Sequence, residues 1–351
     1  MPKTMNLGYL SIATLAAIMG VVLLLPISLR SVESELEAFL LLMGLIAVTV
    51  SGRWSLSLAG DALSAPAGIT VAVLLAGLVF RRLRPRLRRA VGDIVWLVGL
   101  RPAAAGFVFL LGLASGLVTA IVAALILTEI VSALRLGGAD RVRLAVYGCY
   151  AIGLGSALTP WGGPLSAVVI VKLKDAPHFA DFFFLARLLS PWLLPGLLLL
   201  SGWSAWRLGS AAGAPVQDEE AAERDSEIVL RSGKVYIFVM ALVLLGAGLA
   251  PLAERAVALL PAWGLYWLNL ASAFLDNATL AAAEIVPTLS AKQLLFALLG
   301  MLLAGGMLIP GNIPNIVCAA KLGIRSRQWA AVAVPVGLAL LAGCFVLLLL
   351  L

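Results

Sequence analysis

Charge is scarce in this sequence. Asp, Glu, Lys and Arg make up 12% of its 351 residues, about half the share of roughly 25% in an ordinary soluble domain. So little polarity does not cover a water-facing exterior, which excludes a soluble enzyme. Histidine occurs once, at His178, and cysteine three times, at Cys149, Cys318 and Cys344, each inside an apolar stretch. Haem ligation, a zinc cluster, a disulfide framework and a catalytic triad all lack their residues. With no nucleophile–base pair and no metal-ligand cluster, neither enzymatic activity nor a bound cofactor is expected. The formal net charge of +7 invites a nucleic-acid reading. The basic residues, however, stand in short blocks between apolar runs, with no aromatics interleaved. That pattern makes the lipid bilayer the partner and excludes nucleic acid.

Hydrophobic residues fill the rest, at 62% of the chain with a mean hydropathy of +1.07. A membrane helix needs about 20 apolar residues, and the spanning candidates are 7–29, 38–58, 62–80, 144–172, 182–206, 235–250, 293–321 and 329–351. The first of these follows a single lysine and has no small-residue cleavage site after it, so it reads as a membrane helix and not as a removed signal. Two further stretches, 103–134 and 257–289, are interrupted. At roughly 32 residues and 1.5 Å per residue, each is too short for two crossings and a turn. Each is predicted to enter to half depth and return to the same side, as a re-entrant hairpin enclosed by protein or a cavity. With the N-terminus outside, the inner loops gather most of the 25 Lys and Arg, including the block Arg81, Arg82, Arg84, Arg86, Arg88 and Arg89. The opposite orientation violates the positive-inside rule. The expectation is an all-α polytopic protein of the cell membrane, with eight full crossings, two hairpins and both termini outside.

Self-similarity divides this single transport domain, 1–351, into halves. ASGLVTAIV from Ala114 resembles ASAFLDNAT from Ala271, and LTPWGGPLS from Leu158 resembles LIPGNIPNI from Leu308, at nearly equal offsets. Leu158, Pro160 and Pro164 coincide with Leu308, Pro310 and Pro314, and Gly155 coincides with Gly305. Residues 7–61 are read as N-terminal helices. The first repeat covers 62–206, with hairpin 103–134 and broken helix 144–172. A polar loop, 207–234, carries DEEAAERD, and the second repeat, 235–351, has hairpin 257–289 and broken helix 293–321. The charge topology gives the repeats opposite orientation. Matched Gly/Pro-broken segments in an inverted repeat point to a binding site near the midplane of a transporter. Pro160, Pro164, Pro310 and Pro314 leave carbonyls without helical donors. An ion or small polar substrate would satisfy such groups at depth.

Asp276 is the most informative side chain, because an intramembrane carboxylate marks an ion or proton pathway by default. It lies in SAFLDNATL with Ser272, Asn277 and Thr279. Capping of the hairpin's return helix is the structural reading of the same residue. Ser115 and Thr119 at the first tip, Thr159, Gly162 and Gly163 at the first break, and Asn312 and Asn315 at the second complete the candidate ion or substrate site. Asp276 and Asn277 are the expected ligands of sodium or a similar ion. Glu284 is a candidate proton relay, Glu129 is read as structural, and Trp161 as a packing residue.

SAFLDNATL together with LIPGNIPNIVCAAKLGI resembles the ion transporter superfamily, which contains sodium/proton antiporters, arsenite permeases and divalent-anion/sodium symporters. The likeness is closest to its small cation-transporter branch and runs from about Ala62 to Leu351. It implies a homodimer with a scaffold and a mobile transport part moving like an elevator, and an ion site lined by Asp276, Asn277, Asn312 and Asn315. Hairpin one departs from the pattern: it lacks the Asn of the Ser-Asn-Thr motif of anion-transporting relatives. The function expected is sodium/proton exchange with Asp276 as the shared carboxylate. The alternatives are an anion transporter or sodium-coupled symporter of an organic acid, arsenite or another oxyanion, and a membrane scaffold without transport.

Overall fold

The computed structural model describes residues 9–29, 32, 35–134, 136–209 and 225–350, and among them every regular element is helical. The helices are α1 (Tyr9–Ser28), α2 (Leu36–Ser51), α3 (Leu56–Val98), α4 (Leu100–Val118), α5 (Ala120–Ala133), α6 (Gly138–Ser156), α7 (Pro164–Lys172) and α8 (Phe184–Arg207). After these come α9 (Asp225–Leu259), α10 (Ala262–Leu268), α11 (Asn277–Glu284), α12 (Ala291–Gly305), α13 (Ile313–Leu322) and α14 (Ser326–Leu349). Short 3-10 turns at Asn269–Ala273 and Ile309–Gly311 lie within the second half. Among the described residues, four segments are long and apolar enough to cross a membrane: Leu100–Val118, Phe184–Arg207, Ser232–Leu252 and Ser326–Leu349. The protein is an all-α membrane protein.

Several boundaries differ from those expected. The run 62–80 is the middle of the 43-residue α3, and the arginine block lies inside that helix instead of in a loop. Arg and Leu are strong helix formers, and Arg86, Arg88 and Arg89 point outward while Val91 is buried. Gly99, at φ +85, ends α3 with a backbone that only glycine takes without strain. The polar loop 207–234 is shorter than expected, because α9 already starts at Asp225; residues 210–224, with most of the acidic run, lie outside the described residues. Helix α9 continues to Leu259, so the second hairpin begins at Ala262. Helix α4, at 19 residues, is roughly 28 Å long, a spanning length where half depth was expected. No breaker interrupts it between Pro102 and the turn at Thr119.

The chain reverses in both interrupted stretches. Arg101 Nε donates to Leu208 O at 3.0 Å, and Gly209 N donates to Asp140 Oδ2 at 3.0 Å. The starts of α4 and α6 therefore share one end of the molecule, and α5 carries the chain back between them. In the second half, Tyr266 faces Phe296, Asn269 Nδ2 donates to Ala297 O and the Ser272 hydroxyl to Met301 O. That matching order makes α10 and its 3-10 turn parallel to α12, with α11 returning. At the far end from Arg101, Lys172 Nζ donates to Ala282 O and His178 Nε2 meets Pro287 O at 3.0 Å. Thus α12 starts at the end where α7 finishes.

Helices α4 and α6 cross so closely that a Cβ on Gly155 would overlap the Gly112 carbonyl and touch the Ser115 hydroxyl. Gly155→Ala is therefore expected to cost about 1–3 kcal/mol through overpacking. Gly106→Ala, where a Cβ meets nothing within 4 Å, is expected to raise stability by up to about 1 kcal/mol, alanine being the better helix former. Thermal unfolding of the two detergent-purified variants checks the difference.

Candidate functional site

Each helix break is closed by groups from the adjacent hairpin tip and from the break itself. In the first half Ala120 N donates to Gly162 O at 2.7 Å, and the Thr159 hydroxyl donates to Gly116 O. The buried Ser115 hydroxyl stands between Gly112 O at 2.6 Å and Ile152 O at 3.0 Å. Thr119 turns the chain at φ +79 and caps α5 through Val122 N. A β-branched residue in that region costs on the order of 1–3 kcal/mol and persists only where its surroundings hold it. In the second half Asn315 Nδ2 donates to Gly305 O and Leu308 O, both at 2.9 Å, across the gap between α12 and α13. The Asn277 amide lies against the Ser272 hydroxyl and reaches Gly311 O at 3.0 Å and Met301 O at 3.2 Å, so its nitrogen is the group facing these carbonyls.

Between the breaks lies a partly open cavity with about 290 Å³ of empty space, some of it continuous with the outside. Its wall comprises Gly153, Ser156 and Ala157 from the end of α6, Pro164, Leu165 and Ser166 from α7, and Asp276, Asn277 and Ala278 from the start of α11. Leu302, Asn312 and Ile313 complete it. Asp276 is half-buried and is the N-cap of α11, with Oδ2 accepting from Ala278 N at 3.1 Å. Asn312, in extended backbone, is the N-cap residue of α13, and a Cβ on Gly153 would crowd its amide nitrogen. The Ser166 hydroxyl donates to Ser156 O at 3.1 Å and the Ser156 hydroxyl to Gly153 O at 3.0 Å. A carboxylate, amide oxygens and hydroxyls form a hard-oxygen donor set, suited to a monovalent cation or a proton and unsuited to a soft metal.

Of the residues anticipated as ligands, Asp276, Asn277 and Asn312 line this cavity. Ser115, Thr119, Thr159 and Gly162 are engaged at the first tip and break, and Gly163 is the extended N-cap residue of α7; none of the five lines the cavity. Ser272 and Asn315 are fully buried and hold the second tip and break together. The side chain of Thr279 lies outside the described residues. Ser156 and Ser166, which the sequence reading passed over, belong to the cavity wall, and the PxS spacing after Pro164 was the available signal. Glu284 lies elsewhere, in a separate apolar gap. Glu129 pairs with Lys321 at 2.5 Å, the side chains 3% and 8% exposed, joining α5 to α13. Among the described residues no group of three His, Cys, Asp or Glu is placed to hold a metal.

Asn315→Leu is expected to destabilise the protein by about 2–4 kcal/mol, because two buried bonds go and the Gly305 carbonyl loses its donor. Asn312→Leu, at a half-buried residue making no side-chain cap bond, costs less. Unfolding temperatures of the two variants in one detergent check the order.

Comparison with curated proteins gives no match. A family model, described as a protein of unknown function (DUF1646), matches residues 12–351. The chain belongs to the DUF1646 family.

Proposed function

We propose that the protein is a secondary active transporter of a monovalent cation, exchanging sodium for protons at the Asp276 carboxylate. One observation carries this reading: a half-buried carboxylate stands in a polar cavity where both helix breaks and the second hairpin tip converge, inside an apolar helical bundle. Cation and proton compete for the same oxygens, so exchange is obligatory without further machinery. The two chain reversals, and the placement of the α12 start at the α7 end, support an inverted repeat with one chain reversal in each half. In that reading the Arg101 and Arg207 end faces the cytoplasm and both termini lie outside the cell membrane. Helices α2, α3 and α9 share a small apolar cluster, Val48, Ala62 and Leu244, apart from the main core. They suit the scaffold of an elevator-type homodimer, with the hairpins and broken helices as the moving part. This is the architecture of the ion transporter superfamily that the motifs resemble.

A second reading has its own support. The N-terminal ends of α7, α11 and α13 all meet the cavity, through Pro164, Asn277 and Ile313. Helix N-termini carry partial positive charge and favour anions, so an oxyanion or organic-acid transporter is the alternative. No Lys or Arg lines the cavity, which places the cation first.

In proteoliposomes loaded with a pH-sensitive dye, a sodium or lithium gradient should drive proton movement in the wild type. Asp276→Asn should reduce it to the leak rate. A well-folded Asp276→Asn protein exchanging at the wild-type rate removes the mechanism. Uptake of labelled organic acid, arsenite or sulfate by the same vesicles, with no cation-driven proton movement, selects the anion reading.

A further inference from the structure

Away from this cavity, one buried carboxyl plays no part in the reading above. Glu284 ends α11, is 2% exposed, and faces a gap between that return arm and helices α1 and α9. The partly open gap has about 480 Å³ of empty space, some of it continuous with the outside, and Met19, Leu249, Leu252, Leu268, Leu275 and Leu280 make its wall apolar. Glu284 Oε2 is sealed from water and has no hydrogen-bond partner. Asn269 is 0% exposed and its side chain lies beside the carboxyl. Its Nδ2 donates to Ala297 O at 3.2 Å, while its Oδ1 is also sealed and without a partner. Two bare acceptors thus stand in one dry place.

Among the described side chains, the surrounding elements offer no counter-charge. Lys172 of α7 donates to Ala282 O, and His178 in the following connection meets Pro287 O. Lys292 of α12 lies over the Phe296 ring, and the Tyr266 hydroxyl of α10 donates to Leu341 O. On α9, Lys234 lies 3.9 Å from Glu37, the Tyr236 hydroxyl donates to Leu63 O, and Glu254 and Arg255 have side chains outside the described residues. Described α1 side chains include nothing ionisable, and Asp276 caps the opposite end of α11. An ionised carboxylate left in such surroundings costs several kcal/mol. A metal cation needs a shell of several oxygens, which the apolar wall does not contain.

We propose that Glu284 is a second proton-binding site, separate from the Asp276 cavity. The proton adds to a carboxylate oxygen, neutralises it, and supplies the donor that the Glu284–Asn269 pair lacks. Its role in transport rests on the proposed function: the face of hairpin two that packs against α1 and α9 is then neutral, and the charge that changes in a cycle resides at the other end of α11, at Asp276. The proton site itself is independent of transport.

Infrared spectroscopy of the purified full-length protein at neutral pH tests it. The C=O stretch of an un-ionised carboxylic acid should be present in the wild type, absent from Glu284→Gln and retained in Asp276→Asn. Should Glu284→Gln fail to fold, wild-type protein carrying ¹³C in its glutamate side-chain carboxyls should show the same band displaced, while labelled aspartate leaves it in place. A missing band, one that survives Glu284→Gln, or one that moves with labelled aspartate overturns the proposal. The spectrum uses no ion flux, so a protein that transports nothing still reports on Glu284. Sodium-driven proton flux without the acid band removes this site and leaves the transport reading standing.

Discussion

A membrane interior provides no water to a broken helix, so every backbone group released at a break has to find a partner inside the protein. That constraint organises both halves of this chain. At the first break, Gly162 O is met by Ala120 N and Ser156 O by the Ser166 hydroxyl. At the second, Gly305 O and Leu308 O are met by the single amide of Asn315, and Met301 O by the Ser272 hydroxyl. The hairpins are therefore the complement of the breaks. Each tip lies where an interrupted helix has carbonyls to satisfy.

Ser272 and Asn315 have the right chemistry for coordination, yet both are fully buried, direct their donors at backbone carbonyls and do not line the cavity. What remains around the cavity is a shorter set: the Asp276 carboxyl, the Asn312 side chain, and the hydroxyls of Ser156 and Ser166. Asp276 serves both roles, since one oxygen accepts from Ala278 N. The capping bond gives the carboxylate a defined direction, so the structural and functional readings of this residue support each other.

The helical membrane class follows from composition alone, because no other architecture accommodates a chain this apolar. The breaks were legible at Pro160 and Pro164, and at Pro310 and Pro314, since proline lacks the donor and clashes with the preceding turn. The chain reversals near Thr119 and Asp276 were legible from the interruptions, but length misjudged α4, whose 19 residues are enough to cross. Other features were not. The arginine block reads as a loop by charge, but its residues are good helix formers and a long outward-facing helix solvates them equally well. The Glu129–Lys321 pair joins residues 192 apart. Lys321 looks like an ordinary inner-loop cation in the sequence, because nothing local tells which distant helix meets it. Hydroxyls that bond the backbone and hydroxyls that face a cavity are equally indistinguishable until the helices are packed.

The two halves solve the same problem with different chemistry, and the difference bears on charge. Thr119 and Asp276 occupy matching positions, and each caps its return helix. Beside them, the first tip reaches its break with the backbone N–H of Ala120, and the second with the side-chain amide of Asn277. A threonine cap leaves the first tip neutral and locks its turn at a positive φ. An aspartate cap brings a carboxyl group, one oxygen of which accepts from Ala278 N. The apolar bundle around it strengthens the field of that carboxylate, since low dielectric screens it little. The first half therefore closes its break almost completely with neutral groups. The second keeps an acceptor facing the shared cavity, as the proposed exchange of a cation and a proton would require.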